Sequence, residues 1–118
     1  GGYYPLALAE LQQIESPHYF SNASTHIEYW YRLARIKSKL DDKHLDVISC
    51  YQKAFNLGKE TSTYFAPMSA LQIGLIYEKQ NDTKQAAIYF EKCLTLSNFD
   101  YQRGIHQKAK AGLNRIAN

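Results

Sequence analysis

Apolar residues recur at three- and four-residue steps along most of the chain, the spacing of a buried stripe on a helix. Leu8, Leu11 and Ile14 follow Pro5, whose fixed φ suits a first helical turn, and Ser16-Pro17 closes that segment. The pattern predicts a helix over 5–16, then a loop with Tyr19 and Phe20 from His18 to Ser24. Thr25 and Glu28 have the spacing of a capping box, which predicts a helix running to about Leu40 with Trp30, Leu33, Ala34 and Lys37 on one side. Asp41-Asp42 offers a break and a new N-cap. A helix to about Leu57 follows, with Val47, Tyr51, Ala54 and Phe55 inward and Gly58 just past its end.

The same periodicity predicts a helix from between Thr63 and Pro67 to about Lys79, with Ala70, Ile73, Gly74 and Tyr77 inward. Asn81-Asp82 turns the chain, and Gln85 stands at capping distance from Asp82. Residues 83–96 place Ala86, Ala87, Phe90, Cys93 and Leu94 on one stripe. A last helix, about 101–116, carries Ile105, Ala109, Gly112, Leu113 and Ile116 on one side and Arg103, His106, Lys110 and Asn114 on the other.

These segments repeat. Ala7-x3-Leu11-x2-Ile14, Val47-x3-Tyr51-x2-Ala54 and Ala86-x3-Phe90-x2-Cys93 are one motif, starting at positions 7, 47 and 86. Trp30-x2-Leu33-Ala34 matches Ala70-x2-Ile73-Gly74 at a spacing of 40 residues. Two helices per period of that size are the mark of a helical solenoid, in which stacking creates the core. Small residues at Ala34, Gly74 and Ala86 let helix axes approach, and the rings of Tyr51, Tyr77 and Phe90 fill the gaps between successive pairs.

The run from Ala70 to Tyr77, with Asn81-Asp82, Ala86, Phe90 and Cys93, resembles a full tetratricopeptide repeat. The unit of Trp30, Leu33, Ala34, Val47, Tyr51 and Ala54 resembles it less closely, because Lys37 stands where an aromatic belongs. The usual period of roughly 34 residues is exceeded here, and a HEAT-like array, with a period near 40, is the structural alternative. The resemblance implies an all-α fold, an α-α superhelix of stacked helical hairpins. Its units are a leading second-type helix over 5–16, repeats over 25–58 and 63–97, and a capping helix over 100–117, together resembling the C-terminal end of a longer array in bacterial proteins of unassigned function.

In that family the first helix of each pair lines a concave groove. The matching positions are Glu28, Tyr31, Arg35 and Ser38, then Met68, Leu71, Leu75 and Glu78. The implied function is a non-enzymatic scaffold that takes a peptide or helix of a partner protein, or docks to further repeats of its own chain. The competing reading of Leu71 and Leu75 is that they pack under the last helix or the His18–Ser24 loop.

Composition supports a helical reading: six glycines, three prolines and a single valine, Val47, argue against a sandwich or barrel. No apolar run is long enough to cross a bilayer. Fourteen basic and eleven acidic side chains give a net charge of +3, with the charges interspersed. The exception is the last helix. Arg103, Lys108, Lys110 and Arg115 make it the alternative site, for nucleic acid or an anionic membrane surface. Catalytic and phosphate-binding motifs are missing, and His18, His26, His44 and His106 lack metal-ligand spacing, so no enzyme activity, metal or cofactor is expected. Cys50 and Cys93 fall on apolar stripes and read as buried thiols of a reducing compartment, although similar bacterial chains often carry export signals, which leaves the cell envelope open.

Overall fold

The computed structural model describes residues 23–40 and 43–117. The helix expected over 5–16 and the Asp41-Asp42 cap lie outside the described residues. Five helices account for most of the rest: α1 (Ala23–Lys39), α2 (His44–Gly58), α3 (Phe65–Lys79), α4 (Thr83–Leu94) and α5 (Gln102–Ala117). The described residues contain no strand. α1 and α2 form one antiparallel hairpin and α3 and α4 a second; α2 packs on α3, and α5 closes over both α3 and α4. First-type helices α1, α3 and α5 follow one another in contact, as a helical solenoid requires.

Local chemistry explains the element ends, with two departures from the expected caps. Ala23 and Ser24 already belong to α1, so Thr25 is an interior residue, and the Glu28 carboxylate pairs with Arg32 one turn on (2.6 Å). Gly58 is the last residue of α2 rather than a left-handed residue beyond it, and Lys59 after it keeps a right-handed φ of −64°. Close packing surrounds the glycine there: a β-carbon on Gly58 would stand 3.0 Å from Thr63 Cγ2 and 3.1 Å from Ala66 Cβ.

The turn between α3 and α4 is built as the sequence suggests. Asn81 takes the left-handed conformation (φ 64°) and donates its N–H to the Glu78 carbonyl, while the Asp82 N–H reaches the Tyr77 carbonyl. These two bonds satisfy carbonyls that the end of α3 would otherwise expose. Asp82 then opens α4, its Oδ1 accepting the Gln85 N–H at 3.2 Å. Asp82 thus takes part both in ending one helix and in starting the next.

The apolar stripes meet in two adjoining clusters. The first gathers Ile27, Leu33, Ala34, Val47, Tyr51 and Ile73, and the second Phe55, Ala70, Leu71, Phe90, Cys93 and Ile105; Met68 and Tyr77 touch both. Phe90 is completely buried. Its ring lies where β-carbons on Gly74 of α3 and Gly112 of α5 would be, so three helices converge on one aromatic side chain. Gly74, expected as a close-approach position, has that role. Gly112 shares it.

Candidate functional site

The first helices of the hairpins are the candidate binding elements, and burial decides which of their flanks is available. α1 presents Glu28, Arg32, Arg35 and Lys39 at steps of four, three and four residues, and all but the half-buried Glu28 are exposed. α3 presents Met68, Gln72, Leu75 and Lys79 at the same steps, with Lys79 exposed and the others half-buried. The two rows are 40 residues apart at every position, so they occupy equivalent flanks of successive hairpins.

Tyr31 and Leu71 must be corrected. Both were expected in the groove, yet Tyr31 is 5% exposed and Leu71 is 1% exposed. They too are 40 residues apart, and both turn toward the next first-type helix. The Tyr31 ring packs on Phe65 at the start of α3 (5.1 Å between centroids), while Leu71 joins the cluster that Ile105 and Ala109 of α5 complete. Leu71 therefore packs under the last helix, and Leu75 leans on the same cluster from its edge. Glu78 lies on this inter-helix flank as well. Its two carboxylate oxygens accept from Nε and Nη2 of Arg115 on α5, each at 2.8 Å. That pairing holds the Glu78 carboxyl below its ordinary range and raises the Arg115 guanidinium.

Ser38 is exposed at the end of α1, beside Lys39, and Arg35 is exposed one turn before them. Arg32, Lys39, Gln72 and Lys79 complete these candidate rows and were not among the expected positions. The signal was the 40-residue offset itself, which pairs Arg32 with Gln72 and Lys39 with Lys79 as it pairs Ala34 with Gly74.

The four basic residues of the last helix do not make one surface. Seven residues separate Arg103 from Lys110 and Lys108 from Arg115, so each pair stands on its own stripe, with about 120° between Arg103 and Arg115. Lys108 and Arg115 lie on the flank turned toward α3. Arg103 and Lys110 lie on the opposite flank, where with Gln102, His106 and Gln107 they line an open depression of about 460 Å³. His106 anchors that flank through the Leu96 carbonyl (2.7 Å) and an edge contact with Phe99 (5.5 Å).

The two cysteines and Tyr51 are embedded. Cys50 and Cys93 are buried thiols, and burial pushes the Cys93 thiol up to about 12. Burial likewise raises the Tyr51 phenol. Among the described residues no group of three His, Cys, Asp or Glu side chains is arranged to hold a metal ion, and no helix is long and apolar enough to cross a membrane.

Two stacked hairpins with small residues at their crossings, an aromatic ring between them and a covering helix define an α-α helical repeat. Residues 69–100 match the family model described as the tetratricopeptide repeat, so this segment, from the second turn of α3 through α4 to Asp100, is similar to such a repeat. The match covers Ala70, Ile73, Gly74, Tyr77, Ala86, Phe90 and Cys93, the residues on which the resemblance was read. No curated protein and no solved structure gives a match to the chain.

Proposed function

We propose that the protein is a non-enzymatic interaction scaffold whose partly exposed α1 and α3 rows take a protein segment bearing acidic side chains. The tetratricopeptide repeat points to a protein-interaction module. The observation that carries the finer reading is the charge of the two rows: Arg32, Arg35, Lys39 and Lys79 stand against one acidic residue, Glu28. Met68 and Leu75, half-buried between them, supply apolar contact to a segment lying across both helices. Complementary charge sets partner choice and encounter rate more than raw affinity. The outer flank of α5, with Arg103, Gln107 and Lys110, offers no apolar stripe to a further hairpin, which supports α5 as a cap on the stack.

The test is an anisotropy titration of a labelled acidic amphipathic peptide against the chain and its Arg35→Glu/Lys79→Glu variant. Binding that weakens with salt and is lost in a variant of unchanged helicity supports the reading. Equal binding by the variant overturns it, and so does a chain that ignores the peptide but retains RNA or anionic vesicles.

A further inference from the structure

A second polar site lies at the N-terminal end of the first-type helices, one turn before the α1 and α3 rows begin. Ser24 at the start of α1, the Thr61–Tyr64 approach to α3, and Asp100 just before α5 enclose a cavity of about 300 Å³, floored by Ile27. Its lining is rich in oxygen: four aliphatic hydroxyls, the Tyr64 phenol and one carboxylate, with no basic side chain among the described lining residues. Two of the hydroxyls serve the fold. Thr61 Oγ1 donates to the Gly58 carbonyl, and Thr63 Oγ1 accepts the Phe65 N–H. Among the described residues, Ser24, Ser62 and Asp100 have no such task.

The aromatic wall carries a second, independent observation. Tyr101 is 76% exposed and holds a left-handed φ of 64°, unfavourable for a bulky side chain. In that conformation its ring meets Tyr64 edge-on, with centroids 5.8 Å apart and planes at 88°. Tyr64, which lines the cavity with Asp100, thus carries the exposed Tyr101 ring against it. Helix N-termini ordinarily favour anions, but α3 contributes little here: Thr63 caps its first amide, and its third residue, Pro67, has no N–H. Asp100 is the one charged side chain among the described lining residues.

We infer that this cavity receives a cationic side chain, an arginine or lysine of a partner segment. Asp100 supplies the counter-charge, Ser24 and Ser62 accept its remaining N–H groups, and the Tyr64 and Tyr101 rings contact its face. The inference is independent of the α1 and α3 rows.

The experiment is an amide-resolved NMR titration of the full chain with N-acetyl-arginine amide, with N-acetyl-norleucine amide as the neutral probe and acetate as the anionic one. Saturable shifts of Ser24, Ser62, Tyr64 and Asp100 with the arginine probe alone are expected. Asp100→Asn should weaken binding by about tenfold, loss of the charge-assisted bond being its main effect. Tyr101→Ala should weaken it less, through loss of one ring. Both positions are exposed, and unchanged melting of the variants verifies their folding. Shifts with acetate or the neutral probe, no shifts with arginine, or undiminished binding by Asp100→Asn would overturn the assignment.

Discussion

The Phe90 ring lies so close to Gly112 that a β-carbon built on that glycine would stand 2.5 Å from two of its carbons. Gly74 meets the same ring at 2.6 Å. Because the ring is fully buried, it has little room to swing aside. Alanine at either position gains helix propensity, ~1 kcal/mol, but forces the ring or a helix to move, and overpacking of this kind costs about 1–3 kcal/mol. Gly74→Ala and Gly112→Ala should therefore lower the melting temperature. Gly104 on α5 is the control, since nothing lies within 4 Å of its β-carbon position. Gly104→Ala should raise stability by up to ~1 kcal/mol. Equal effects at Gly104 and Gly112 would show that Phe90 does not sit between α3 and α5.

Leu71 separates the two accounts of the α3 flank. As a core residue under α5, its replacement by alanine should cost about 2–5 kcal/mol, and Leu71→Asp should lose far-UV helicity outright. A residue lining an open groove would tolerate both changes with little effect on folding. Thermal unfolding followed by circular dichroism distinguishes the cases.

The ion pair between Glu78 and Arg115 gives α5 a pH-dependent hold on α3. Pairing lowers the Glu78 carboxyl below its ordinary value of 4.5, so the stabilisation is present above that value and disappears as the pH falls through the lower, folded-state value. The Glu78 side chain is 22% exposed and Arg115 51%, so solvent screening keeps the effect small. Arg115→Met should return the Glu78 carboxyl toward its ordinary range in an NMR titration. Glu78→Gln should flatten the acid limb of the stability profile relative to the unaltered chain. An unchanged Glu78 titration in Arg115→Met would mean that the pair does not form in solution.

The hairpin geometry was legible in the sequence because it depends on residues with one physical reason to be what they are. Ala34, Gly74 and Ala86 are small where axes cross, Phe90 fills the gap they leave, and Asn81-Asp82 can both end and begin a helix. The groove was harder to read. A stripe on a single helix shows which side faces its hairpin mate, but both remaining flanks look amphipathic until the neighbouring hairpin covers one of them. Tyr31 and Leu71 were therefore placed on the open flank, when they fill the seam with the following helix. Gly58 differs for a related reason: a glycine at a helix end signals a left-handed turn, whereas here it lies inside the helix end with Thr63 and Ala66 packed closely against it. In both cases the missing information was a contact from the next hairpin.

Cys93 gives a direct measure of how often that seam opens. Its thiol is fully buried in the cluster around Phe90, and burial pushes it up to about 12, so the native protein at pH 8 presents almost no thiolate. Labelling by an aromatic disulfide reagent should be limited by opening of the core and should accelerate with mild denaturant. When reclosing is faster than reaction, the rate follows the opening equilibrium, and each 1.4 kcal/mol of destabilisation raises it about tenfold. Gly112→Ala should therefore speed Cys93 labelling by a factor that matches its loss of stability. Labelling in the unaltered chain as fast as that of a small free thiol would show that α5 does not seal this cluster.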